Sequence, residues 1–128
     1  MVRIEKPEGV KWDTFKQTCP TRQVLDCIAD KWAVLVVGAL VRRQHRFGEL
    51  QRVIEGVSQK MLTQTLRALE RDGIVRRIVH ASVPPRVDYE LTALGQSLAN
   101  IVENLRSWSE ANIEQVLESR EEFDHRDT

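Results

Sequence analysis

The side chains best suited to chemistry in this sequence are polar and cationic. Gln59, Lys60, Thr63, Gln64, Arg67 and Arg71 recur through residues 59–72 at spacings that set them on one side of a helix, opposite Leu62, Leu66 and Leu69. Gln and Arg or Lys carry the donors and acceptors that match adenine and guanine edges in the major groove, and Thr can meet a thymine methyl. Ser58 precedes that helix as a cap, and the free N–H groups of a first helical turn suit a phosphate. Arg76, Arg77 and Arg86 follow, spaced to touch a DNA backbone or a narrow minor groove. The other reactive group is Cys19. With Pro20 as the first helical residue, Cys19 is the N-cap, where the helix dipole favours a thiolate and Lys16 and Arg22 would add to the effect. Cys27 sits between apolar neighbours and reads as an inert core thiol. A helix would hold the two sulfurs about 12 Å apart, too far for a disulfide.

Catalysis is not expected. His45, His80 and His125 are far apart and share no spacing with the cysteines, so no metal site is expected. There is no Gly-rich phosphate loop, G-x-S-x-G or H-E-x-x-H, and no cofactor is expected. A thiol enzyme built on Cys19 would lack a base, since no His lies within 25 residues of it. Two cysteines make no disulfide framework and suit the cytoplasm. Residues 1–17 are polar and mixed in charge, unlike a signal peptide. No apolar run approaches the roughly 18 residues that cross a bilayer.

The charges are segregated. The 128 residues hold 19 Lys+Arg and 19 Asp+Glu, for a net charge of zero. Residues 1–41 carry 6 basic and 5 acidic groups, residues 42–86 carry 10 and 4, and residues 87–128 carry 3 and 10. A basic middle with an acidic end is the footprint of a nucleic-acid face on a balanced domain.

The elements that would position these groups can be read in order. Residues 1–18 form an N-terminal arm with Trp12 and Phe15 as anchors. Val24, Leu25, Ile28 and Ala29 give residues 22–30 a helical spacing. Residues 31–43 predict a buried helix with Trp32, Leu35, Val36, Ala39 and Leu40 on one stripe. A short helix over 47–55 would turn Phe47, Leu50, Val53 and Ile54 inward and stop at Gly56. Two helices joined through Gly56-Val57-Ser58 make a helix-turn-helix, and Gly73 ends the second. The period then changes. Val87, Tyr89 and Leu91 alternate with Asp88 and Glu90, and the β-branched residues 74–80 can pair with them across a tip containing Pro84-Pro85. A hairpin placed there is a wing. Thr92 caps a last helix over 93–118, in which Leu94, Leu98, Ile101, Leu105 and Trp108 form a coiled-coil-like seam. That helix is too long for the domain, so Leu98, Ile101, Leu105 and Trp108 are expected at a dimer interface. Residues 19–118 thus form one domain, and 119–128 a frayed, charged C-terminal tail.

Several motifs carry a resemblance. Cys19-Pro20, Asp30-Lys31-Trp32, Arg46-Phe47-Gly48-Glu49-Leu50, the run from Ser58 to Leu66, Leu69-Glu70-Arg71-Asp72-Gly73, Val83-Pro84-Pro85-Arg86-Val87-Asp88-Tyr89 and Leu91-Thr92-Ala93-Leu94-Gly95 are similar to the HxlR family of bacterial transcription regulators. The match covers about residues 19–108. The resemblance implies a MarR-related winged helix-turn-helix, a homodimer built from N- and C-terminal helices, operator binding, and a recognition helix starting near Ser58. Some members of that family sense oxidants or electrophiles through a cysteine at the position of Cys19.

The expected fold is therefore mainly α with a small antiparallel β-hairpin. The expected function is that of a cytoplasmic, homodimeric repressor on double-stranded DNA, with no membrane partner and no effector specified by the residues. The alternative is a winged-helix protein-interaction module without a DNA role. It predicts an uncharged or apolar face where Lys60, Arg67 and Arg71 stand.

Overall fold

In the computed structural model the described residues are 9 and 11–127. Residues 1–8, 10 and 128 lie outside them, so most of the first half of the expected arm is not assigned a conformation. Helix α1 (Pro20–Ile28) starts at Pro20, whose missing N–H costs nothing in a first turn. Helix α2 (Lys31–Arg42) is capped by Asp30, whose Oδ1 accepts from Trp32 N at 2.9 Å and Ala33 N at 3.3 Å. Strand β1 (His45–Arg46) leads into α3 (Phe47–Val53), and α4 (Gln59–Arg71) follows. Strands β2 (Val75–His80) and β3 (Arg86–Leu91) precede the long α5 (Ala93–Arg126).

The core is a wedge of aliphatic side chains between helices and sheet. Helix α2 packs against α4 and α5 and contributes Ala33, Val36, Val37 and Leu40. Leu50, Ile54, Leu62, Leu66, Leu69, Val75, Leu91, Ala99 and Val102 close it. Two inward assignments fail. Leu35 faces out because the buried stripe of α2 follows Ala33, Val36, Val37 and Leu40. Val53 is exposed because α3 ends there, and the chain turns through Ile54, which goes in instead.

Helix α4 ends in a Schellman motif. Ile74 N donates to Leu69 O at 2.9 Å and Gly73 N to Glu70 O at 3.0 Å, with Gly73 at φ +75°, a conformation open to glycine. The three-stranded antiparallel sheet has the order β1-β3-β2. Val75 pairs with Leu91 and His80 with Arg86, which is the expected hairpin, and β1 adds a third strand through His45–Tyr89 and Arg46–Asp88 pairs.

Thr92 caps α5 as expected, its Oγ1 accepting from Gly95 N at 3.0 Å and donating to Gly73 O at 2.5 Å. Gly95 lets the helix meet the backbone here, since a Cβ would stand 2.2 Å from Ile74 O. The helix then runs to Arg126, not to residue 118. The segment expected to fray is its last two turns: helix formers such as Arg120, Glu121 and Glu122, and the i,i+4 neighbours Glu121 and His125 at 3.9 Å, continue it. At 1.5 Å per residue, 34 residues span about 51 Å. Only Gly95, Ala99 and Val102 of α5 are buried, so its distal half stands clear of the core.

Candidate nucleic-acid interface

Helix α4 is positioned by its leucines and presents the rest outward. Leu62 and Leu69 are fully buried, while Gln59, Lys60, Thr63, Gln64, Arg67 and Arg71 are all exposed. Ser58 caps it through its Oγ, which accepts from Met61 N at 3.1 Å. Gly56, at φ +89°, turns the chain between α3 and α4. The exposed face divides in two. Gln59, Thr63, Arg67 and Glu70 line one wall of a cleft of about 590 Å³, with Arg77, Val87 and Tyr89 of the wing opposite and Phe47 at its edge. Gln64 borders a different groove, with Met61 and Ala68, toward Asp26 and Asp30. Among the described residues Lys60, Arg67 and Arg71 form no ion pair.

The wing arginines are held by carboxylates. Arg76 bonds Glu90, and Arg77 lies 3.9 Å from Glu70 of α4. Arg86 reaches Asp88, its Nη2 3.1 Å from Oδ2. Asp88 is one of the polar residues of the alternating strand, yet it is 2% exposed. Its neighbours were equally unforeseen. His80 Nε2 lies 2.8 Å from Oδ2, and Arg46 Nε 3.9 Å from Oδ1. The Arg86 hydrogen bond above all, then that of His80, holds the Asp88 carboxyl below its usual range against the opposing effect of burial. The strand register, which sets Arg46, Ile78 and Asp88 side by side, is what gathers them, and the sequence carries no local signal for the β1 part of it.

Cys19 is the N-cap of α1 and is buried. Its Sγ accepts from Thr21 Oγ1 at 3.0 Å and from Asp13 N at 3.3 Å. These bonds, Thr21's foremost, lower its pKa. The expected help from Arg22 is absent because its guanidinium donates to Thr14 O and Phe15 O, both at 3.0 Å. Cys27 is half-buried, and burial followed by nearby Asp72 pushes its thiol up. Of the seam residues, Leu98 is half-buried against its own core, while Ile101, Leu105 and Trp108 are 55–60% exposed. Among the described residues no helix is long and apolar enough to cross a membrane.

A helix-turn-helix whose second helix offers unpaired Arg and Lys and whose sheet extends as a basic hairpin is a winged helix-turn-helix of the DNA-binding regulator class. Comparison with known proteins narrows this. The profile of HxlR-like helix-turn-helix proteins matches residues 27–117. The chain is 46% identical over 108 residues, 84% of its length and 86% of the relative's, to YtfH of Escherichia coli, an uncharacterized HTH-type transcriptional regulator. It is similar in structure to ytfH of Salmonella typhimurium, named as a transcriptional regulator, with a TM-score of 0.82 and 44% identity over 87% of this chain and 99% of that one. The redox regulator HypR in its oxidized form gives a TM-score of 0.69 and 41% identity, covering 73% and 97% of the two chains. The chain belongs to the HxlR family of helix-turn-helix transcriptional regulators.

Proposed function

We propose that the chain is a cytoplasmic repressor without catalytic activity, which binds a pseudo-palindromic operator in double-stranded DNA as a homodimer. The observation that carries this is the exposed, unpaired basic and amide face of α4. Its Gln59, Lys60, Thr63, Gln64 and Arg67 read base edges, Ser58 and the first turn meet a phosphate, and Arg76, Arg77 and Arg86 follow the backbone. Charge on this face argues against a pure protein-interaction module. A dimer on a promoter blocks polymerase without any further contact. Dimerisation is supported by two exposed apolar faces. One is Ile101, Leu105 and Trp108 on α5, with Leu98 at its inner margin, and the other is Val24 and Leu25 on α1. A twofold axis through them would relate two recognition helices to two half-sites.

Binding to a selected operator and to a random duplex tests the assignment. Gln64→Ala and Arg67→Ala are each expected to cost about 1–3 kcal/mol on the operator and less on random DNA. Equal losses on both would remove α4 as the recognition helix.

A thiol-responsive reading is favoured by the hydrogen bonds that stabilise the Cys19 thiolate and by likeness to a protein named as a redox regulator. Oxidation at Cys19 would disturb the start of α1, on one of the two apolar faces. Oxidant that releases DNA from a Cys19→Ser variant as readily as from the wild type would refute it.

A further inference from the structure

The strand register sorts the wing into two faces. Val75, Arg77 and Val79 lie with Val87, Tyr89 and Leu91 on the side turned to α4, and Arg76, Ile78 and His80 lie with Arg86, Asp88 and Glu90 on the outer side. Arg46 of β1 joins the outer face beside Asp88. There the charges do not balance. Arg76 is matched by Glu90, Arg77 by Glu70 and Arg43 by Glu49, one to one. Round Asp88 a single carboxylate faces two guanidiniums and an imidazole. The carboxylate is 2% exposed, whereas the side chains of Arg46, His80 and Arg86 are 56%, 46% and 46% exposed. A ligand arriving from solvent meets only the cationic edges. Arg86 spends Nε and Nη2 on Asp88 and keeps its remaining donors, and Arg46, 3.9 Å away, forms no hydrogen bond with it. Arg46 is also the N-cap of α3, so the cluster borders the first helix of the helix-turn-helix.

We propose that Arg46, His80 and Arg86, gathered round the buried carboxylate of Asp88, form a phosphate-binding patch on the outer face of the wing that grips the DNA backbone beside the bases read by α4. This rests on α4 being the recognition helix and adds Arg46 and His80 to the interface. Asp88 is the positioning residue. An ionised carboxylate only accepts, so it holds the proton on His80 Nε2 and fixes the Arg86 fork. The groups that bear on His80 are Asp88 and Arg86 of β3, with Arg46 of β1 beyond them. From α4, Glu70 approaches the opposite face of β2, at Arg77.

The test measures fluorescence anisotropy of the full chain on a duplex it selects from random-sequence DNA and on a scrambled duplex, from about 50 to 200 mM salt. Arg46→Ala is expected to weaken both duplexes by the same factor and to reduce the slope of log affinity against log salt by about one. His80→Gln is expected to weaken both duplexes alike, and Asp88→Asn to shrink the contributions of both Arg46 and His80. Arg67→Ala, run alongside, should lose mainly the selected duplex. If Arg46→Ala keeps the wild-type slope and His80→Gln the wild-type affinity while Arg67→Ala still loses selectivity, the patch is refuted and α4 stands. If Arg67→Ala keeps full selectivity, the α4 reading falls instead.

Discussion

A single methyl at Gly95 gives a severe test of how the long helix is seated. The Cβ of a Gly95→Ala variant would stand 2.2 Å from Ile74 O and 3.1 Å from Leu91 Cδ2. Carbon and oxygen come no closer than about 3.3 Å, so α5 must retreat by about 1 Å. The carbonyl cannot swing aside, because Thr92 N donates to it at 3.0 Å. Such overpacking costs about 1–3 kcal/mol. Straining the Thr92 cap costs about 1 kcal/mol, and the better helix propensity of Ala offsets about 1 kcal/mol. The net loss is about 2 kcal/mol, or roughly 8 °C in Tm for a domain of this size. Gly48→Ala is the control. It is also helical, but its Cβ meets nothing within 4 Å, so it should stabilise by about 0.5 kcal/mol. Urea unfolding followed by circular dichroism, at one protein concentration, reads both. Two shifts of the same sign would refute the close approach of α5 to Ile74.

Further outcomes follow from the same geometry. Leu105→Glu with Trp108→Glu should give monomers in sedimentation and abolish operator binding, and a dimer that survives would move the interface elsewhere. Cys19 should alkylate faster than Cys27 at pH 7, and Thr21→Val should slow it by removing the main donor to the thiolate; an unchanged rate would refute that cause. Asp88 has a lowered pKa in the folded chain, so its contribution is fully present above the ordinary carboxylate value of 3.8 and is lost as pH falls through the folded value. Wing amide resonances should therefore change below about pH 4, and Asp88→Asn should abolish that step.

Much of this was legible in the sequence, because it is written in local signals. Ser58, Gly73 and the capping bond of Thr92 to Gly95 act within a few residues, and the α4 leucines repeat at the helical period. What escaped depends on distant partners. β1 is two residues long and has no period of its own; it is a strand only because Tyr89 and Asp88 lie alongside. Asp88 looks like any polar residue of an alternating strand, and its burial comes from Arg46, His80 and Arg86 closing over it. Arg22 is near Cys19 in sequence, but two carbonyls of the preceding loop engage its guanidinium. The last turns of α5 bury nothing, so hydropathy could not mark them as helix.

The pairing of β1 with β3 also bears on the order in which the protein is made. Helices α3 and α4 are each held by hydrogen bonds between residues close in sequence, whereas the strand pair unites segments from the middle and the later part of the chain. A nascent chain that has emerged only as far as Gly73 contains every helix of the helix-turn-helix but lacks β3, and with it the partner that fixes Arg46 at the entrance to α3. The anchored position of Arg46 therefore arrives with residues 86–91, well after α4 has been synthesised.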